Sequence, residues 1–287
     1  MGKDYSLNPV KVLIAIPNMG YTQVEAYGNR LMNFMQMGNM QTEIQSFHRF
    51  SELLETLAPD KKNEILNSYI EKHGRYVKNL DQEMFEFWFI NIGRIFTPAA
   101  REEAAKTAIQ KEMDYIFFVD DDMICPDDLF LRLYRHHKVA DIVCPLAFTR
   151  NAPYNPVMYA SVEGYDSVNK SDYFINNVVQ NYPKNKLVEV DACGFGAALI
   201  KVSTMKKITP PYFMCSEGTG EDILHCYKTK KVGGRVFMDT TFNIGHLGHP
   251  QVITEEFVDE YRDKNKFEIK KKHGEFTKYN ALTVLGD

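Results

Sequence analysis

The sequence predicts an α/β fold in which an open, mostly parallel sheet is flanked by helices. Short apolar runs rich in aromatic and β-branched residues, Val10 to Ile16, Tyr115 to Val119 and Ile142 to Cys144, read as strands buried on both faces. Between them lie stretches of helical character, with Val24, Tyr27, Leu31 and Phe34 on one face and an alanine-rich segment from Ala99 to Ile109. The run at Tyr115 stops at three consecutive carboxylates, Asp120, Asp121 and Asp122. Open α/β sheets hold ligands there, beyond the carboxyl ends of their strands.

With 287 residues the chain can form one α/β domain of generous size or two small ones, and a single domain over residues 1–287 is expected. Apolar residues make up 44% and charged residues 25%, the balance of a soluble globular protein. No apolar run approaches the ~20 residues of a membrane-spanning helix, and Met1-Gly-Lys-Asp-Tyr5 has no signal-peptide core. Five cysteines, scattered and odd in number, argue against a disulfide framework or a zinc cluster and for a reducing cytoplasm. A formal net charge of −4 argues against a chain dominated by nucleic-acid backbone binding. Local basic runs at Lys228 to Lys231 and Lys270 to Lys272 leave room for a basic groove, with a solvated face as the plain alternative.

In chain order, Pro17-Asn18-Met19-Gly20 breaks the first strand at a favoured ligand position, unless it is a plain βα turn. The segment from about 41 to 95 is the least regular. Ser51 and Asp60 can cap short helices there, and Phe85 to Ile92 fits either a strand or a helix end. Trp88 within it reads as core, with base stacking as the alternative. Thr97-Pro98 opens the alanine-rich helix as cap and first residue. Arg101 falls in its first turn, where the helix dipole disfavours a cation unless an anion is near, either a ligand phosphate or a neighbouring carboxylate.

After the acidic stretch, Pro126 opens a helix with Asp127 and Asp128 in its first turn. Acids this crowded repel one another and lose hydration near a sheet edge. A divalent cation with a substrate phosphate completing its shell would offset that, and a solvated acidic turn is the alternative. An EF-hand does not fit, because the sixth position from Asp120 is Cys125 and the twelfth is Leu131. A haloacid-dehalogenase-like phosphatase fits through Asp120 and Asp122 but finds no later Lys and acidic pair.

Ala147 to Val157, which includes Arg150, is a proline-bearing loop of the kind that carries binding groups. Tyr165 to Lys186 reads as an exposed excursion and Leu187 to Ala192 as a strand. Gly194 and Gly196 follow; with Leu199 where a dinucleotide fingerprint needs a third glycine, they read as points of close backbone approach. Glu221 and Asp222 open a helix that ends near Gly233-Gly234, either as a capped start or as carboxylates offered to a cleft, with a general base among them. His246 and His249 lie among glycines at a strand end. That suits ligation of a borderline cation, or a structural role. Thr254 to Lys272 reads as a charged amphipathic helix.

The order of these features resembles the metal-dependent GT-A glycosyltransferases, especially family-two enzymes of bacterial and phage type. The resemblance rests on Ile14-Ala-Ile-Pro17, Ala100-Arg101-Glu-Glu-Ala-Ala105, Phe117-Phe-Val-Asp-Asp-Asp-Met123, Val190-Asp-Ala-Cys-Gly-Phe-Gly196, Gly218-Thr-Gly-Glu-Asp222 and Gly245-His-Leu-Gly248. It departs at residues 45–92, expected as a helical insertion, and at Glu102, where the family usually has Asn. The resemblance implies a mixed, mostly parallel central sheet, a helix over about 253–273, and Mn²⁺ or Mg²⁺ as cofactor. It implies a nucleotide-sugar donor such as a UDP- or GDP-sugar, held near Pro17, Arg101, Asp120, Asp121 and Arg150, with Gly194 and Gly196 on the floor. Asp122 and His246, or His249, would ligate the metal; Asp222 would be the base and Glu221 would place the acceptor. Glycan, lipid head group, protein and modified DNA base all remain open as acceptor. A non-catalytic sugar- or nucleic-acid-binding module is the other alternative.

Overall fold

A computed structural model describes residues 10–18, 85–93, 96–166, 171–216, 218–247, 252–264 and 283–284. Its first strand, β1 (Val10–Asn18), runs parallel to β2 (Phe85–Gly93) on one side and to β3 (Tyr115–Val119) on the other. Val12 to Ile16 and all of β3 are buried, as runs apolar on both faces require. Between β2 and β3 passes α1 (Thr97–Gln110), whose alanines Ala100, Ala104, Ala105 and Ala108 are buried. The cap of α1 is Phe96 and not Thr97; proline's fixed φ still suits the first turn, but no side chain closes it.

Beyond β3 the chain makes β4 (Met123–Ile124), the short helix α2 (Leu129–Tyr134) and β5 (Ile142–Leu146). Pro126 to Asp128 form a turn ahead of α2 and not its first turn; Asp128 pairs with Arg132 at 2.7 Å. The strands β6 (Met158–Asp166) and β7 (Ser171–Val178) form an antiparallel hairpin, and β7 falls within the segment 165–186 read as an exposed excursion. Next come β8 (Leu187–Val190), β9 (Ala192–Cys193), β10 (Ala197–Lys201), the single turn α3 (Val202–Met205) and α4 (Glu221–Lys231). The described chain closes with β11 (Val236–Asn243), β12 (Gly245–Leu247), β13 (Val252–Ile253), α5 (Glu255–Lys264) and β14 (Thr283–Val284).

The central sheet has the order β14-β8-β11-β5-β10-β3-β1-β2. Only β10 and β8 run against the other strands, so the sheet is mixed and mostly parallel. Two small sheets, β13-β12-β4 and β7-β6-β9, sit apart from it. On one face Phe85, Phe87, Phe117, Phe130 and Tyr134 interlock through edge-on and stacked contacts 4.8–5.8 Å apart. The end of α2 is pinned by Arg135 and His136, which bond the fully buried Asp239 of β11 at 2.7 and 2.8 Å.

Three expectations need correction. The expected helical insertion at 45–92 gives way to strand β2 over its last residues; the rest lies outside the described residues. Trp88 is 42% exposed: β2 is the last strand in the sheet order, and Trp88 and Phe89, on its opposite faces, both reach solvent. The expected helix over 253–273 begins at Glu255, since Val252 and Ile253 pair with β12 instead. Its continuation past Lys264 lies outside the described residues, as do His249, the Lys270 run and the capped segments at Ser51 and Asp60.

Candidate active site

The carboxyl ends of β1 and β3 place the acidic turn at the rim of the sheet. In register, Ala15 stands opposite Phe118, so Pro17 and Asp120 each lie two residues beyond that pair. Pro17 is buried. The antiparallel neighbour β10 fixes the turn from its other side, where the Asp120 N–H donates to the Gly196 carbonyl at 2.8 Å. A Cβ on Gly196 would meet the Met123 sulfur at 3.0 Å, and one on Gly194 would meet Val157 at 3.0 Å. Both glycines leave room for a neighbouring side chain. Asp121 is partly exposed within the turn.

The acidic turn, the start of α1 and the start of α4 enclose a cleft of about 310 Å³. Its lining includes Arg101, Asp120, Gly194, Gly196, Glu221, Asp222 and His246. Arg101 is 2% exposed and joins the parts. One guanidinium nitrogen donates to both Asp120 oxygens at 2.8 and 2.9 Å and to the Phe195 carbonyl at 3.0 Å, and the other bonds Glu221. The rings of Phe118 and Phe195 flank it at 5.7 and 5.8 Å. The anions that answer this cation at a helix start are thus the chain's own carboxylates.

Burial pushes the Asp120 carboxyl up to about 6, with Arg101 opposing the rise and Asp122 adding to it. Burial likewise raises Asp222, against Arg101 and the backbone N–H groups of Ile223 and Phe195, and Glu221 adds to the rise. Asp222 accepts the Ile223 N–H at 2.8 Å and turns its side chain over Gly220. It stands in the first turn of α4, whose positive end favours a carboxylate.

The strand β12 pairs with β4, so His246 lies opposite Met123, and the Leu247 N–H donates to the Asp122 carbonyl at 2.9 Å. His246 Nδ1 lies 2.8 Å from the Phe148 carbonyl. With the proton there, Nε2 presents its lone pair to Asp122 Oδ2 at 3.3 Å. Two lone-pair donors facing each other call for a proton or a cation between them, and a backbone carbonyl behind the imidazole is the usual support of a metal-ligating histidine. The residues therefore fit a divalent ion held from one side by Asp122 and His246, with its other positions left to water or substrate oxygens. Among the described residues, no group of three or more His, Cys, Asp or Glu side chains is placed to enclose a metal. Burial works to raise the Asp122 carboxyl, but His246 and Arg150 outweigh it and hold it below the ordinary carboxylate range. Arg150 reaches it at 3.1 Å from the 147–157 loop.

The lining residue Phe96 carries no sequence signal, and the 147–157 loop is legible as a binding loop without any sign that the Phe148 carbonyl would face His246. The basic run in α4 lies at the surface and makes contacts within the chain. Lys228 bonds the Pro211 carbonyl at 2.6 Å, Lys230 pairs with Asp191, and Lys231 lies 5.0 Å over the Tyr227 ring.

No family model and no curated protein matches the chain. Among solved structures it is similar to A197 from STIV, at 16% identity and a TM-score of 0.45, covering 82% of this chain and 85% of that one. It is similar to GalNAc-T7 crystallised with UDP, GalNAc and Mn2+, at 13% identity and a TM-score of 0.42, covering 91% of this chain but 49% of that one. It is also similar to an apo UDP-glucose pyrophosphorylase, at 10% identity and a TM-score of 0.36, covering 92% of this chain and 99% of that one. Among the described residues no helix is long and apolar enough to cross a membrane.

Proposed function

We propose that this chain is a divalent-metal-dependent glycosyltransferase of GT-A type, moving a sugar from a nucleotide-diphosphate donor to an acceptor hydroxyl. The observation that supports this reading best is that His246 and Asp222, from distant parts of the chain, line one cleft, with Asp122 against His246 at 3.3 Å. Asp122 and His246 would hold Mn²⁺ or Mg²⁺, and such an ion, when bound, offsets the charge that builds on a departing nucleoside diphosphate. The starts of α1 and α4 both open on the cleft and add the positive ends of two helices.

Asp222 is the base in this reading. Its burial makes it a stronger proton acceptor than a solvated aspartate, and it takes the acceptor's hydroxyl proton as the oxygen attacks the anomeric carbon. Attack opposite the leaving group inverts that carbon. Arg101 fixes Asp120 and Glu221 on the two sides of the cleft, and so keeps donor and acceptor ends in register. The net charge of −4 makes a glycan hydroxyl a better acceptor than the phosphate-flanked hydroxyl of a modified DNA base.

The test is release of nucleoside diphosphate from UDP- and GDP-sugars with Mn²⁺ or with EDTA. Wild type should turn over only with metal, and Asp122→Ala should lose both turnover and metal binding. Asp222→Asn should keep the thermal shift given by Mn²⁺ and UDP, about 2.7 kcal/mol at a hundred times the dissociation constant. Its turnover should fall by about 10²–10⁴-fold. Turnover indifferent to EDTA, or an Asp222→Asn enzyme with full activity, would overturn the reading.

A further inference from the structure

We infer that Arg150 is a cationic placeholder at the metal site, seated on Asp122 in the free protein and handed over to the donor's diphosphate when metal and nucleotide enter. This rests on the metal reading above and assigns an order of events to it. The observation is a shared atom: Arg150 Nη1 lies 3.1 Å from Asp122 Oδ2, the oxygen that His246 Nε2 approaches at 3.3 Å. A divalent ion ligated by that oxygen would sit close to the guanidinium now against the same atom, and the two positive charges repel.

The loop that carries Arg150 is built for such a movement. Its base is fastened by the bridge between Phe148 and Pro156 and by mutual bonds of Thr149 and Asn155 at 2.9 and 3.0 Å. Tyr154 packs edge-on against Phe257 and Tyr261 of α5 at 4.9 and 4.8 Å. The Arg150 side chain, by contrast, is 54% exposed, and Asn151 and Ala152 beside it are exposed. Arg101 is buried and tied on both nitrogens, so it cannot exchange partners this way. Among the described residues Arg150 makes a single-ended contact that can be given up. A phosphate on the metal then offers it oxygens of higher charge and the bidentate geometry a guanidinium prefers.

Two titrations test the handover, both free of any activity readout: Mn²⁺ alone into the protein, and UDP into the protein with Mn²⁺. An exposed ion pair of this kind opposes the metal modestly, so Arg150→Gln should bind Mn²⁺ alone about two- to fivefold more tightly than wild type. The same variant should bind UDP with Mn²⁺ several-fold more weakly, because the phosphates lose their charge-assisted partner. Opposite signs in the two titrations support the proposal. Shifts in the same direction, or an unchanged affinity for Mn²⁺ alone, overturn it while leaving the metal site standing. Failure of wild type to bind Mn²⁺ saturably in either titration overturns the handover and the metal reading together.

Discussion

A cation near the start of a helix is a local error that only tertiary structure can correct, and Arg101 shows how. Its place in the alanine-rich segment is legible in the sequence, and so is the demand for an anion. Which anion is not legible: Asp120 is 19 residues away and Glu221 is 120 residues away, and no local pattern spans such gaps. In the folded chain one buried guanidinium serves both acidic clusters, while its Nε finds no partner among the described residues. Removing it would leave Asp120, Glu221 and Asp222 facing one another without a charge to offset them. Arg101→Met should therefore cost about 3–5 kcal/mol, the range for a broken buried ion pair, read as a fall in the urea midpoint. Arg101→Lys restores the charge but not the planar fork, and should recover only part of that loss. An Arg101→Met protein as stable as wild type would show that the carboxylates are solvated and that the tie carries no load.

Elements differ in how far their sequence announces them. The strands β1, β3 and β5 are apolar throughout because the sheet buries both of their faces, and the helix α4 announces itself by its acidic first turn and following glycines. The strand β7 pairs with β6 away from the main sheet and needs no such run, so its polar sequence reads as loop. The three-residue β12 is shorter than any periodic window, yet it carries His246 to Asp122. What holds it close is Gly245: a Cβ there would lie 2.5 Å from Val252 Cγ1 and 3.3 Å from the Ile124 Cβ, on the two flanking strands. Gly245→Ala must turn the Val252 side chain aside and press on Ile124 of β4. It should cost about 1–3 kcal/mol by overpacking and weaken Mn²⁺ about tenfold as His246 moves. Gly233→Ala is the control, since its φ of 82° makes any side chain costly while no atom lies within 4 Å of the added carbon. That variant should lose about 1 kcal/mol and keep its Mn²⁺ affinity. Equal metal affinities in both would detach the fit of β12 from the site.

At the scale of the molecule, the sequence shows where charge accumulates but not which charges the fold has invested in. A formal net charge of −4 gives every aspartate equal weight. The structure singles out Asp239, whose side chain is 0% exposed beneath the end of α2. Burial alone would raise its pKa, but bonds from His136, Thr241 and Arg135 prevail and bring it down to about 2. Unfolded, the same carboxyl titrates near 3.8, so between these values the unfolded chain binds the proton that the folded one refuses. Stability from this group is thus fully present above about pH 4 and disappears as pH falls towards 2. A displacement of nearly two pH units corresponds to about 2 kcal/mol. Asp239→Asn removes the titration along with the charge. At pH 6 the variant should be less stable than wild type by at least that amount, because Arg135 and His136 lose their anion. As the pH is lowered the wild-type urea midpoint should drop faster, so that the two curves converge as pH approaches 2. Curves that stay parallel from pH 5 to pH 2 would mean that Asp239 is not the group whose protonation loosens α2 from the sheet.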